Sequence, residues 1–150
     1  MPRKVLIPAQ LNFQPRPAYP YSPGTMGGNM IYTSGQIAWG SDGNIVGIGD
    51  IEIQTRQTLS NVEAVLNEAG ADWGDVLKCN VYLKDMNDFQ KMNNIFCEIF
   101  PDNPPARTTV QTPMAEETMM IETRGCNHIG PHERAGASTS PKPDLTRRRR

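Results

Sequence analysis

The spacing of apolar side chains changes along this chain, and each spacing predicts an element. Over Val76–Leu83 they alternate: Leu77, Cys79, Val81 and Leu83 face one way, while Lys78, Asn80, Tyr82 and Lys84 face the other. That is the period of a half-buried strand. From about Ile51 to Ala69 the spacing becomes three and four, which puts Thr55, Leu59, Val62, Leu66 and Ala69 on one buried face of a helix. Asp50 can cap its first turn, and Gly70 stops it as a natural residue just past the end. A second helix, about Asn87 to Phe100, is predicted to bury Phe89, Met92, Phe96 and Phe100. Met30–Ser34 has strand composition and ends at Gly35, and the turn Ser41–Asn44 leads into a short strand at Ile45-Val46. The last strands are Arg107–Thr112 and Thr118–Cys126, separated by Pro113 and a short acidic turn. The order β-β-α-β-α-β-β predicts an α+β fold with helices on one face of a sheet. The opposite sheet face then needs cover, and a symmetric oligomer is its simplest source.

Composition narrows the class. A chain of 150 residues is one domain with room for a core, and no apolar run approaches the length of a membrane span. The N-terminus lacks the apolar stretch and cleavage site of a signal peptide, so a cytoplasmic location is expected. Cys79, Cys97 and Cys126 are far apart, with neither disulfide-framework nor zinc spacing. Cys79 and Cys97 read as packing residues on apolar faces. Net charge is close to neutral but uneven: Arg134, Lys142 and Arg147 to Arg150 outweigh Glu133 and Asp144 in the stretch 127–150, leaving the body acidic. That stretch has almost no apolar side chain and is expected to be a disordered basic tail, with His128 and His132 in it and poorly placed as catalytic bases. An acidic body without a basic stripe or stacking aromatics argues against nucleic acid as the partner.

Arg107 carries the first chemical signal. Pro104 and Pro105 stiffen the backbone ahead of it, and Thr108, Thr109 and Val110 begin a strand behind it. A guanidinium on such a junction is aimed, and its planar fork suits a carboxylate. Glu122 lies on the last strand among Met119, Met120 and Ile121, where an unpaired carboxylate is costly to bury. Asn93 lies four residues after Phe89 and three before Phe96, at the border of the buried helix face.

A set of short motifs falls in order along the chain: Pro20-Tyr21-Ser22-Pro23, Ser34-Gly35-Gln36, Gln54-Thr55-Arg56-Gln57, Asn61-Val62, Val81 to Met86 with Asp88-Phe89, Asn93, Pro105-Ala106-Arg107-Thr108 and Ile121-Glu122. Together they resemble the RidA family, also called YjgF, the reactive intermediate deaminases. The resemblance covers about residues 17–126, leaving an N-terminal extension (1–16) and the tail (127–150) outside it. It implies a chorismate-mutase-like mixed sheet with two helices on one face, assembled as a barrel-centred homotrimer with active sites between subunits. It also implies cofactor-free and metal-free hydrolysis of enamines and imines, such as 2-aminoacrylate and 2-iminopropanoate, to 2-keto acids and ammonia.

Carried over by position, Arg107 would grip the substrate carboxylate and Glu122 would place a water or handle its proton. Tyr21, Ser34 and Asn93 would frame the cleft, and Thr109 would stand where many members have cysteine. Arg124 departs from the family pattern. Two residues after Glu122, it shares that residue's sheet face, where it would either pair with Glu122 or add a second anion contact for a dicarboxylic substrate. Otherwise it simply reaches solvent. The resemblance leaves three alternatives open: a pathway-specific enzyme such as a 2-aminomuconate deaminase, an RNA-binding endoribonuclease-type translation inhibitor, and a non-catalytic trimer that binds small carboxylates.

Overall fold

The alternation and the helical periods settle into six strands and two helices in a computed structural model that describes residues 2–13 and 20–128, with backbone alone for 126–128. In chain order these are β1 (Lys4–Leu6), β2 (Gly24–Gly27), β3 (Met30–Thr33), α1 (Ile51–Glu68), β4 (Val76–Leu83), α2 (Phe89–Ile99), β5 (Ala106–Gln111) and β6 (Ile121–His128). One sheet holds all the strands in the order β1-β2-β3-β6-β4-β5, and it is mixed because only β4 and β5 run parallel. That pair is joined through α2, as a parallel crossover requires.

α1 forms where capping and periodicity agree. The Asp50 carboxylate accepts from the backbone N–H groups of Glu52 and Ile53 at 3.0 and 3.1 Å. At the other end Gly70 takes φ +77°, and Ala71 N–H reaches back to the Leu66 carbonyl at 2.9 Å. These bonds satisfy the groups a helix end leaves orphaned. The core lies between the helices and one sheet face, with Leu59, Val62, Val65, Leu66, Cys79, Val81, Leu83, Met92 and Ile121 buried. The opposite sheet face is open, with Val5, Tyr32 and Val110 exposed.

Several expectations change in detail. A bulge between Val76 and Lys78 shifts the register of β4, so Val76 is buried and Leu77 stands 57% exposed, off the face of Cys79, Val81 and Leu83. Ile45-Val46 forms no strand; Ile45 makes an isolated bridge to Trp39. α2 starts two residues later than predicted, after a 3-10 turn at Met86–Asp88, and buries Met92, Ile95, Phe96 and Ile99, with Phe89 and Phe100 half-buried. β1 and β2 are short and have no clear alternation in the sequence. β1 places Leu6 in the core, so the N-terminal extension contributes an edge strand. His128 belongs to β6, opposite Met30, not to the tail; the rest of the expected tail, His132 and the terminal arginines included, lies outside the described residues.

Two buried amides of α1 hold the loops that shape the site. Asn61 Nδ2 donates to the Ile37 and Trp39 carbonyls, both at 2.9 Å, and Asn61 Oδ1 accepts from Gln10 Nε2 at 3.0 Å and Gln57 Nε2 at 3.2 Å. Gln54 Nε2 donates to the Thr118 carbonyl at 2.7 Å, and its Oε1 accepts the Met120 N–H at 2.9 Å. Buried polar groups this well paired fix the segments they touch. The segments fixed here run into Gly35-Gln36 on one side and into β6 on the other.

Candidate functional site

Arg107 sits on the edge strand β5, opposite Cys79 of β4, and so points toward the helices. Its guanidinium lies over the rings of Phe96 and Phe89, 5.0 and 5.6 Å from their centroids. Its Nη2 donates to Asn93 Oδ1 at 2.7 Å. Phe89, Asn93 and Phe96 share one side of α2 because they are four and three residues apart. That side is a cradle that holds a planar cation by stacking and by one hydrogen bond. The guanidinium forms one wall of an open groove of about 280 Å³, also lined by Asn93, Phe96, Cys97, Phe100, Pro104 and Pro105. Thr109, two residues along β5, lies on the same face, and its hydroxyl is buried without a partner among the described residues.

Glu122 occupies the other face. β6 is a central strand, flanked by β3 and β4, and Glu122 pairs in register with Tyr82, whose neighbours Val81 and Leu83 point into the core. The half-buried Glu122 therefore stands on the open side, opposite to Arg107. Its carboxylate packs against Gly35: a Cβ at that position would lie 1.9 Å from Oε1. Gly35 is held there by Gln36, whose backbone exchanges hydrogen bonds with Thr123 at 2.8 and 2.9 Å. Ser34 joins the same corner, its Oγ donating to the Ser22 carbonyl at 2.5 Å and its N–H to the Pro23 carbonyl at 2.9 Å. The Pro-Tyr-Ser-Pro loop is thereby stitched to the Ser34-Gly35-Gln36 loop, and exposed Tyr21 lies beside that seam.

The structure thus sorts the sequence candidates into two groups. Arg107, Asn93 and Thr109 meet on the helix side of the sheet edge. Ser34 and Glu122 gather on the open face, beside the loop that carries Tyr21, and one copy of the chain does not bring the two groups together. Arg124 is also on the open face, but its guanidinium stacks 5.1 Å from the Tyr82 ring centroid and donates to the Tyr82 hydroxyl, so it pairs with tyrosine and not with Glu122. Cys97 corrects another expectation: it is exposed on the groove rim, and Asn93 Nδ2 approaches its sulfur at 3.8 Å. Cys79 is buried as expected. Sequence periodicity placed Phe89 and Phe96 in the core, but it gave no sign that they carry a cation, because that contact depends on where β5 returns.

Residues 12–128 match the family model described as Endoribonuclease L-PSP. The chain belongs to this family, the Rid/YjgF proteins. It is 42% identical over 108 residues to a RutC family protein of Pyrococcus abyssi, an alignment covering 72% of this chain and 85% of the relative. A solved Rid-family protein from Yersinia pestis superposes with a TM-score of 0.76 at 28% identity, covering 85% of this chain and all of the other. Escherichia coli TdcF, solved with bound serine, gives 0.73 at 29% identity, covering 85% and 99%. The mixed sheet with two helices is therefore the fold of this Rid/YjgF member. Among its described residues no helix is long and apolar enough to cross a membrane.

Proposed function

We propose that this chain hydrolyses reactive 2-enamine and 2-imine carboxylates to 2-keto acids and ammonia. The observation that carries the reading is the Arg107 guanidinium, stacked on Phe96 and Phe89, fixed by Asn93 and open to a groove. A cation held this way cannot relax onto a carboxylate of its own chain, and its remaining N–H donors suit a ligand carboxylate. TdcF, a relative with this fold, binds an amino acid that carries such a group.

The reaction needs a water added to the C=N carbon and a proton delivered to nitrogen as ammonia leaves. Glu122 is the group suited to both transfers: it takes a proton from the water and returns it to the departing nitrogen. Because Glu122 and Arg107 are on opposite sheet faces, the complete site takes Arg107, Asn93 and Thr109 from one copy and Glu122, Tyr21 and Ser34 from the next. A homotrimer supplies that arrangement, and it covers the open sheet face with Val5, Tyr32 and Val110. The chemistry requires no cofactor.

The deciding experiment follows loss of freshly generated 2-iminopropanoate with wild type and R107A. Acceleration is expected, with kcat/KM falling about a hundredfold in R107A, the value of paired charge-assisted hydrogen bonds. No acceleration by a folded oligomer would overturn the reading. The family description names an endoribonuclease, and a single-stranded RNA substrate in the same assay separates that activity from the deaminase.

A further inference from the structure

Beyond Arg107 the groove has a chemical character of its own. Phe96, Phe100, Pro104 and Pro105 form most of its lining, with the Cys97 thiol at the rim and Asn93 beside the guanidinium. Arg107 is the one charged side chain among these lining residues. Phe100 is held in place by an edge contact with Trp73 at 5.3 Å and by stacking on Phe96 at 6.2 Å, so the apolar wall is preformed. In one copy this groove is open and measures about 280 Å³. The other candidate cation, Arg124, lies on the open sheet face, where its guanidinium is engaged by Tyr82.

From this we infer that the groove selects a monocarboxylate bearing a bulky apolar substituent, with the carboxylate on Arg107 and the substituent against Phe100, Pro104 and Pro105. The inference rests on the deaminase reading for its reaction: the substrates it names are the imines of branched or aromatic 2-amino acids. One anionic end and one apolar end match a groove that holds one cation and an apolar wall. A second carboxylate in the substituent would meet proline and phenylalanine without a donor, and its desolvation would count against dicarboxylic imines.

The test has a binding arm and a turnover arm. Calorimetry compares pyruvate with phenylpyruvate, the stable 2-keto acid products, and kinetics compares the two matching imines formed in situ by an amino acid oxidase. Phenylpyruvate is expected to bind at least about tenfold tighter, and its imine to show a similar advantage in kcat/KM, the usual scale for filling an apolar pocket. F100A should narrow both ratios to near unity. Since that change also removes the Trp73 contact, C97E provides a second variant at an exposed helix position, setting a charge against the substituent and narrowing the same ratios. Equal affinity for the two acids in wild type, or ratios unmoved in both variants, would overturn the inference. Turnover of both imines at equal kcat/KM would leave the deaminase standing without the preference. Discrimination in binding without turnover of either imine would keep the groove's selectivity and overturn the deaminase.

Discussion

Burial pushes the Cys79 thiol up to about 11, while the nearby cations Arg107 and Lys78 pull it down by less. Desolvation of the thiolate wins because the sulfur lies in the core and Arg107 is turned toward the α2 rings and Asn93. Cys97, on the groove rim, has no such cover. Since the thiolate is the reactive form and access limits the reagent, brief treatment of the native protein with iodoacetamide at pH 8 should modify Cys97 and spare Cys79. Peptide mass mapping reads both sites. Labelling of Cys79 at a comparable rate would show that the Arg107 edge strand opens in solution. A saturating carboxylate ligand should slow Cys97 labelling, because the thiol borders the groove that the ligand fills. Arg107 and Arg124 differ for a related reason: one is cradled by two rings and an amide beside a groove, the other is exposed and satisfied by a single tyrosine.

At the scale of elements, the Ser34-Gly35-Gln36 loop acts as a backstop for β6. A side chain at position 35 would displace the Glu122 carboxylate, because its Cβ would occupy that group's space. Gly35 does not have a left-handed φ, so alanine is compatible with the backbone and the strain falls on the flexible end of Glu122. G35A should therefore shift the melting temperature by no more than about 4 °C and lower kcat by about a hundredfold, the lower end of what a positioned proton-transfer group supplies. A folded G35A with wild-type kcat would remove Glu122 from the chemistry. This loop also shows how legibility divides. α1, β4 and α2 were readable because each repeats one period over at least two turns or several alternations, and Asp50 and Gly70 marked the ends of α1. Asn93 was readable from its spacing to Phe89 and Phe96. β1 and β2 are too short to show a period, and the bulge that turns Leu77 outward is a backbone event without a residue signature. Gly35 could be named from its motif, but the carboxylate it faces comes from a strand about ninety positions later, and only sheet register brings the two together.

At the scale of the whole molecule, sheet parity decides which candidate residues one copy can bring together. β5 and β6 flank β4, and their pairings place Arg107 on the helix side and Glu122 on the open side of the same sheet. A strand twists but does not pass a side chain through the sheet, so no rotamer change within one copy unites the two groups. If both residues act in one reaction, they come from different copies. The prediction is complementation. R107A and E122Q homo-oligomers should each be nearly inactive, yet mixed oligomers, made by co-expression with distinct tags and purified over both, should recover activity. Each site that draws Arg107 from the E122Q chain and Glu122 from the R107A chain is intact, and in a closed three-membered ring that carries both tags about a third of the sites are so. Recovery near that fraction, with an unchanged KM, places the catalytic pair across the interface. Folded mixed oligomers no more active than their parents would mean that Arg107 and Glu122 do not serve one site, and the open sheet face would then be an assembly surface alone.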